Sequence, residues 1–252
     1  PKAQDGQSLS LSLDRSIQHA ADEAVKEAIE VTGAKAGFAV VMAVKTGEIL
    51  AISNQPTINL NKRAQFDIDL LKNYAAVYAY EPGSVVKPLI AAAAIEEGEH
   101  QPNTLINCEN GIWNVNGGRI RDEKRKPFLS LSDVIKFSSN IGIGKVAKAL
   151  GPEKSLGYLK DFGLGEYPSV RFPGTPRGVL RSPKTIKEVE LITTSYGYGA
   201  NATLMLIVSA FATLGNHGMR MKHILVKERL NSEMETLERK KPENLLRVVS
   251  QE

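Results

Sequence analysis

Alternating and helical patterns of apolar residues begin at the N-terminus of the chain. Residues 7–13 (QSLSLSL) alternate polar and apolar side chains, which predicts a short strand. Asp14 is predicted to cap a helix that runs to about Val31, because apolar residues recur along it at helical spacing. This opening predicts a strand followed directly by an amphipathic helix.

Two β-rich runs follow that helix. Residues 37–44 (GFAVVMAV) and 48–53 (EILAIS) are joined by Lys45-Thr46-Gly47, and the glycine suits a tight turn. These residues predict a hairpin. Asn54 to Asp69 has no clear period, so we expect an irregular connection there.

Helical patterns dominate the rest of the chain. Pro82-Gly83 is a turn signal, and residues 84–97 (SVVKPLIAAAAIEE) predict a helix whose first turn tolerates Pro88. A small hairpin is predicted at 112–118, and a capped helix begins near Ser130. Further helices are predicted at 141–150, 153–162, 186–195 and 204–214, and a strand at 223–229 precedes a charged tail.

Composition narrows the functional classes. The 252 residues are 42% hydrophobic and 24% charged, which is typical of a globular protein and excludes disorder. The net charge of +4 is too small and too evenly spread to indicate nucleic-acid binding, and no apolar run is long enough to span a membrane. Cys108 is the only cysteine and the four histidines are scattered, so we expect no disulfide, metal or cofactor. Because the chain begins Pro1-Lys2, we expect it to be a piece of a longer protein.

Ser84 and Lys87 form the first candidate catalytic pair. The predicted helix places Ser84 at its N-terminus, where the helix dipole favours developing negative charge, and Lys87 three residues later on the same face. A serine needs an adjacent base to become a nucleophile, and a lysine with a lowered pKa can be that base. The alternative is a helix-capping serine followed by a solvated lysine.

Ser138-Ser139-Asn140 forms the second candidate element, at the junction of two predicted helices. Acyl transfer needs a proton shuttle to the leaving amine and a donor that orients the substrate amide, and Ser138 and Asn140 can supply these. The alternative is a break that caps the next helix. S-x-x-K followed by S-x-N is typical of penicillin-binding proteins and class A β-lactamases.

The chain resembles the transpeptidase domain of a class B penicillin-binding protein over nearly its whole length. The most specific part is Tyr80-Glu81-Pro82-Gly83-Ser84, and Thr46-Gly47-Glu48-Ile49-Leu50-Ala51 resembles the first hairpin of the family. Among class B proteins the sequence is most similar to the division type. The resemblance implies an α/β (α+β) fold, with an antiparallel sheet between helices, in one domain over residues 1–252. It also implies that Ser84, Lys87, Ser138 and Asn140 are the catalytic residues.

Three features depart from the family pattern. The only Lys-Thr-Gly, at residues 45–47, precedes the nucleophile, so we interpret it as a hairpin turn and not as the catalytic K-T-G of the family. We expect the chain to stop before that later strand, which would leave the edges of the first hairpin unpaired. Asn201-Ala202-Thr203-Leu204-Met205 replaces the usual threonine-proline-leucine-glutamine pattern.

The resemblance implies a serine D,D-transpeptidase that crosslinks peptidoglycan stem peptides and is acylated by β-lactams. The implied partners are a glycosyltransferase and cell-division membrane proteins. The implied location is the periplasmic face of the bacterial membrane, with an N-terminal anchor outside this chain. A β-lactamase or β-lactam sensor domain, and an inert scaffold of the same fold, are the alternatives.

Overall fold

The computed structural model describes residues 6–59, 61 and 68–251, so part of the predicted connection at 54–69 lies outside the described residues. The helices are α1 (Arg15–Thr32), α2 (Tyr74–Val77), α3 (Lys87–Glu96), α4 (Leu131–Lys136), α5 (Asn140–Asp161), α6 (Glu188–Ser195) and α7 (Leu204–Gly215). The strands are β1 (Ser8–Leu11), β2 (Gly37–Met42), β3 (Ile49–Gln55), β4 (Ala79–Tyr80), β5 (Leu105–Asn107), β6 (Ile112–Val115), β7 (Gly118–Arg121), β8 (Phe128–Ser130), β9 (Ala202–Thr203), β10 (Met219–Met221), β11 (Val226–Leu230), β12 (Thr236–Arg239) and β13 (Asn244–Arg247).

These elements form two compact units. The first comprises Pro1–Tyr78, Tyr167–Pro176 and Thr203–Arg247, and the second comprises Ala79–Glu166, Arg177–Ala202 and Val248–Glu252. A single domain over residues 1–252 stays a prediction. Within the part of the chain that the structure describes, no helix has the length and apolar character needed to cross a membrane.

The first unit is built on the predicted hairpin. Strands β2 and β3 pair antiparallel, and α1, α2 and α7 pack against them. The Asp14 side chain caps α1 as predicted, since its Oδ1 accepts from Ser16 N at 2.9 Å and from Ile17 N at 3.0 Å. Lys45-Thr46-Gly47 is the hairpin turn, with Gly47 in the left-handed region at φ 71°. Ile49, Ala76 and Met205 form the buried centre of this unit.

The expectation that both hairpin edges are unpaired is wrong for β3. Asp14 N donates to Leu50 O at 2.9 Å, and Ile49 N donates to Ile224 O at 2.9 Å. Further along β3 the Gln18 side-chain amide pairs with the strand as a neighbouring backbone would: its Nε2 donates to Ile52 O at 3.0 Å and its Oε1 accepts from Ile52 N at 2.9 Å. The chain covers this edge itself with backbone and one amide side chain, which removes a template for foreign strands.

The prediction of a charged tail after β11 is also wrong, because β12 and β13 are strands. Strand β12 extends the sheet β1–β11–β12, and β13 pairs with β10. Both strands are exposed along their whole length, so the sequence shows no buried face there. Ion pairs connect β12 to its neighbour β11, as in Arg239 with Glu228 at 2.6 Å. Backbone pairing and complementary charge replace the apolar alternation that indicates a strand.

The second unit is a helical core with two small two-stranded sheets, β5–β8 and β6–β7. Helix α5 packs against α3, α4 and α6, and close packing requires glycine at two of its positions. A Cβ on Gly142 would lie 2.4 Å from a Val134 methyl group, and one on Gly144 would lie 2.8 Å from an Ile192 methyl group. The two helices predicted at 141–150 and 153–162 form one element interrupted at Gly151, where φ is 77°. The predicted hairpin near residues 112–118 is β6–β7.

Candidate active site

The four predicted catalytic residues all lie in the second unit. Gly83 turns the chain at φ 64°, a 3₁₀ turn spans Gly83–Val86, and α3 continues from Lys87 with Pro88 in its first turn. Ser84 is exposed, and its side chain makes no hydrogen bond to any described residue. The predicted nucleophile is therefore at the start of a helical segment and open to solvent.

Lys87 is buried, with 2% of its surface exposed. Its Nζ donates to Ser138 O at 2.6 Å and lies 2.8 Å from Ser138 Oγ. Burial lowers the pKa of Lys87 from 10.5 to about 8, and the opposing effect of the Asp122 charge is smaller. The amine is thus close to half neutral slightly above neutral pH, which suits a group that must accept a proton.

Ser138 adopts an unusual backbone conformation for a serine, with φ 55°. The left-handed region costs a non-glycine residue about 1–2 kcal/mol. In this conformation both the carbonyl oxygen and the hydroxyl of Ser138 reach Lys87 Nζ. Ser138 as a residue is exposed, so a bound molecule can approach it.

Asn140 is the first residue of α5, and the dipeptide Arg121-Asp122 holds it in place. Its Nδ2 donates to Arg121 O at 3.1 Å, and its backbone N donates to Asp122 Oδ1 at 2.6 Å. Ser139 is the N-cap of α5, since its Oγ accepts from Gly142 N at 2.8 Å. The capping role considered as an alternative is confirmed for Ser139, whereas the side chains of Ser138 and Asn140 make other contacts.

A second loop braces the turn that carries Ser84. Gly83 N donates to Gly197 O at 3.1 Å, and Gly199 N donates to Glu81 Oε1 at 2.7 Å. The two segments approach so closely that a Cβ on Gly197 would lie 2.0 Å from Gly83 O. The position of the Ser84 turn therefore depends on the glycines of residues 196–199.

Sequence reasoning missed Asp122, Arg121 and the Glu81 contact. Asp122 lies 17 residues before Ser139, in a stretch rich in charged residues, and nothing in its spacing distinguishes it from a solvated carboxylate. Only the folded return of β7 towards the start of α5 places it there. Among the described residues, no group of three or more histidine, cysteine, aspartate or glutamate side chains could hold a metal ion.

A buried amine of lowered pKa, a hydroxyl bonded to it and a serine at a helix start can together carry out acyl transfer. Residues 37–252 match the family model described as the penicillin binding protein transpeptidase domain. The chain belongs to this penicillin-binding-protein family. Its curated relatives include the probable peptidoglycan D,D-transpeptidase PenA of Neisseria gonorrhoeae, 32% identical over 216 residues. The peptidoglycan D,D-transpeptidase FtsI of Escherichia coli is 30% identical over 217 residues. Each match covers 86% of this chain and 37% of the relative, so the chain spans about a third of their length.

Solved structures of penicillin-binding proteins have the same fold. The transpeptidase domain of penicillin-binding protein 3 from Burkholderia pseudomallei has a TM-score of 0.81 and 33% identity, covering 96% of this chain and 66% of that one. Penicillin-binding protein 3 from Mycobacterium tuberculosis, in complex with aztreonam, has a TM-score of 0.89 and 28% identity, covering 100% of this chain and 56% of that one. The resemblance to a division-type class B penicillin-binding protein and the predicted α/β fold class are confirmed.

Proposed function

We propose that this chain carries the active site of a serine D,D-transpeptidase that crosslinks peptidoglycan. Ser84 Oγ attacks the carbonyl carbon of the D-Ala-D-Ala peptide bond, the C–N bond breaks, and D-Ala leaves with the proton that its amine requires. An amine of a second stem peptide then attacks the Ser84 ester, forms the crosslink and regenerates the serine. The observation that carries the proposal is the buried Lys87 amine, bonded to Ser138 and one helical turn from Ser84.

Each of the four residues has a distinct role in this proposal. Neutral Lys87 takes the proton of Ser84 as general base, and Ser138 passes a proton to the leaving amine. The Asn140 side chain orients the amide of the stem peptide. The N-terminus of the segment that carries Ser84 favours the negative charge that develops on the attacked carbonyl.

The same serine would be acylated by β-lactams, whose strained amide imitates the D-Ala-D-Ala bond. The aztreonam complex of the similar Mycobacterium tuberculosis protein supports this part of the proposal. The name of the Escherichia coli relative supports a role in peptidoglycan synthesis. We further propose that this synthesis belongs to cell division, with a glycosyltransferase and division membrane proteins as partners. This role requires the site to face the periplasm, held there by an N-terminal membrane anchor. Labelling of intact cells with a membrane-impermeant fluorescent β-lactam tests that location.

The central test is penicillin labelling of the protein at its natural full length. We expect fluorescent penicillin to form a stable adduct that mass spectrometry locates on Ser84, and Ser84→Ala to abolish it while preserving the thermal melt. The matched control is Ser132→Ala, which removes another exposed serine of the second unit and should label normally.

The other outcomes identify the alternative functions. An adduct on Ser138 or Ser139 would contradict the role of Ser84. Rapid turnover of a chromogenic β-lactam would indicate a β-lactamase, and a stable adduct without transfer of a stem-peptide acyl group to an added D-amino acid would indicate a sensor. Absence of labelling from a folded protein would indicate a scaffold.

A further inference from the structure

We propose that Asp122 is a positioning residue of this site, which fixes the start of α5 behind Asn140 and supplies the negative charge that Lys87 faces. This inference rests on the proposed function, because it concerns how Lys87 and Asn140 are prepared for acyl transfer. Neither sequence motif includes Asp122.

The contacts of the half-buried Asp122 carboxylate all go to one helix end. Oδ1 accepts from Asn140 N at 2.6 Å and from Ile141 N at 3.0 Å, and Oδ2 accepts from Ser139 Oγ. The first N–H groups of a helix have no partners within the helix, and its dipole attracts a negative charge. Two hydrogen bonds of this kind, together with the one from the Ser139 hydroxyl, fix the carboxylate and the helix end relative to each other.

Helix α5 has its own N-cap, so Asp122 is more than a capping residue. Ser139 already satisfies Gly142 N, as an N-cap normally does. Asp122 and the preceding Arg121 carbonyl add bonds to the main chain and the side chain of Asn140. The result is that the Asn140 side chain, and Ser138 two residues before it, are held from a loop outside the motif.

The charge of Asp122 acts on the Lys87 amine as well. The residues of α3 nearest Lys87 are uncharged, and the contact from the α4–α5 junction is the neutral Ser138. Within the described part of the chain, Asp122 is the charged group that raises the pKa of Lys87 against the effect of burial. Without this carboxylate the amine would be neutral at lower pH but would be a weaker base once neutral.

The test compares Asp122→Asn with the wild type in penicillin acylation rates between pH 5.5 and 10. Asparagine keeps the shape and one carbonyl oxygen for the two backbone N–H groups, but it lacks the charge. We expect the pH midpoint of the acylation rate to move down by about one unit, as loss of a nearby opposite charge implies, and the plateau rate to fall. The control is Asp133→Asn, a carboxylate that bonds to Ser130 at the start of α4, which should keep the wild-type midpoint.

The outcomes separate this inference from the proposed function. An unchanged midpoint in Asp122→Asn, including a rate that falls equally at every pH, would overturn the electrostatic role while wild-type labelling at Ser84 still supports the function. Absence of labelling in the folded wild type would overturn both. If Asp122→Asn fails to fold, Asp122→Ser replaces it, because its hydroxyl also accepts N–H groups, and the expected shift is the same.

Discussion

Replacing Gly197 by alanine should disable the site without touching any proposed catalytic side chain. Gly197 has φ 85°, and an added Cβ would lie 2.0 Å from Gly83 O and 2.4 Å from Gly83 N. Ordinary contacts of a Cβ begin at 3.4 Å, so the two segments must separate by more than 1 Å. That movement breaks the bond from Gly83 N to Gly197 O and shifts the turn in which Ser84 follows Gly83.

The magnitude follows from two separate effects. The positive φ costs an alanine about 1–2 kcal/mol, and the lost hydrogen bond adds about 1 kcal/mol. A misplacement of about 1 Å in a catalytic group can reduce a rate by about 10²-fold. We therefore expect Gly197→Ala to acylate about 10²-fold more slowly than the wild type and to lose about 2–3 kcal/mol of unfolding free energy.

Gly199→Ala is the matched control, since it has a similar φ of 80° in the same segment. Its Cβ would meet nothing closer than 3.8 Å, and its N–H can still donate to Glu81. It should lose about 1–2 kcal/mol of stability but keep an acylation rate near that of the wild type. The assay is the second-order rate of penicillin labelling, corrected for the folded fraction from a thermal melt. Equal rates in the two variants would refute the argument that the Gly83–Gly197 contact positions Ser84.

Two further predictions concern titrating groups. The acylation rate of the wild type should rise with pH and reach a plateau above about 8, the pKa of Lys87. Lys87→Arg should be acylated about 10²–10⁴-fold more slowly at every pH, because arginine stays protonated and cannot act as the base. A wild-type acylation rate in Lys87→Arg would show that the positive charge alone suffices. In the first unit, burial lowers the pKa of His223 from 6.5 to about 4, and the charge of Arg220 adds to this effect. The neutral imidazole therefore contributes stability above pH 6.5, and this contribution is lost as the pH falls from 6.5 towards 4. Urea unfolding at pH 7 and at pH 5 should show that the free energy of unfolding falls more for the wild type than for His223→Leu. Equal decreases in the two proteins would contradict the effect of burial on the pKa of His223.

Local signals predicted those parts of the molecule whose cause is local. The cap at Asp14, the turn at residues 45–47 and the helix start before Lys87 each depend on a few consecutive residues, and the structure confirms them. Contacts between distant segments could not be predicted. The Gln18 amide on the edge of β3 and the Asp122 carboxylate on α5 are polar groups whose roles exist only after folding.

The exposed strands β12 and β13 escaped prediction for a different reason. Periodicity indicates a strand only when one face is buried, because burial is what selects apolar residues at alternate positions. Every residue of these strands is exposed, and ion pairs such as Arg229 with Glu238 connect β12 to the neighbouring β11. A sequence without an apolar face is therefore compatible with a strand wherever pairing depends on backbone bonds and, in β12, on complementary charge.

The departures from ordinary residue preference in the second unit coincide with the proposed chemistry. Lysine is among the residues least often buried, and a left-handed backbone is unfavourable for serine. Here a buried lysine, Lys87, contacts a serine with a left-handed backbone, Ser138. Each depends on the other, because the carbonyl that Ser138 presents in this conformation satisfies the buried amine. Neither feature stabilises the fold, since an exposed lysine and a serine with an ordinary backbone conformation would each give the folded state a lower free energy. Unfavourable conformations that the surrounding structure maintains are concentrated at functional sites. This reciprocal strain, more than the presence of either motif, is the physical reason why we propose Lys87 and Ser138 as the groups that transfer protons.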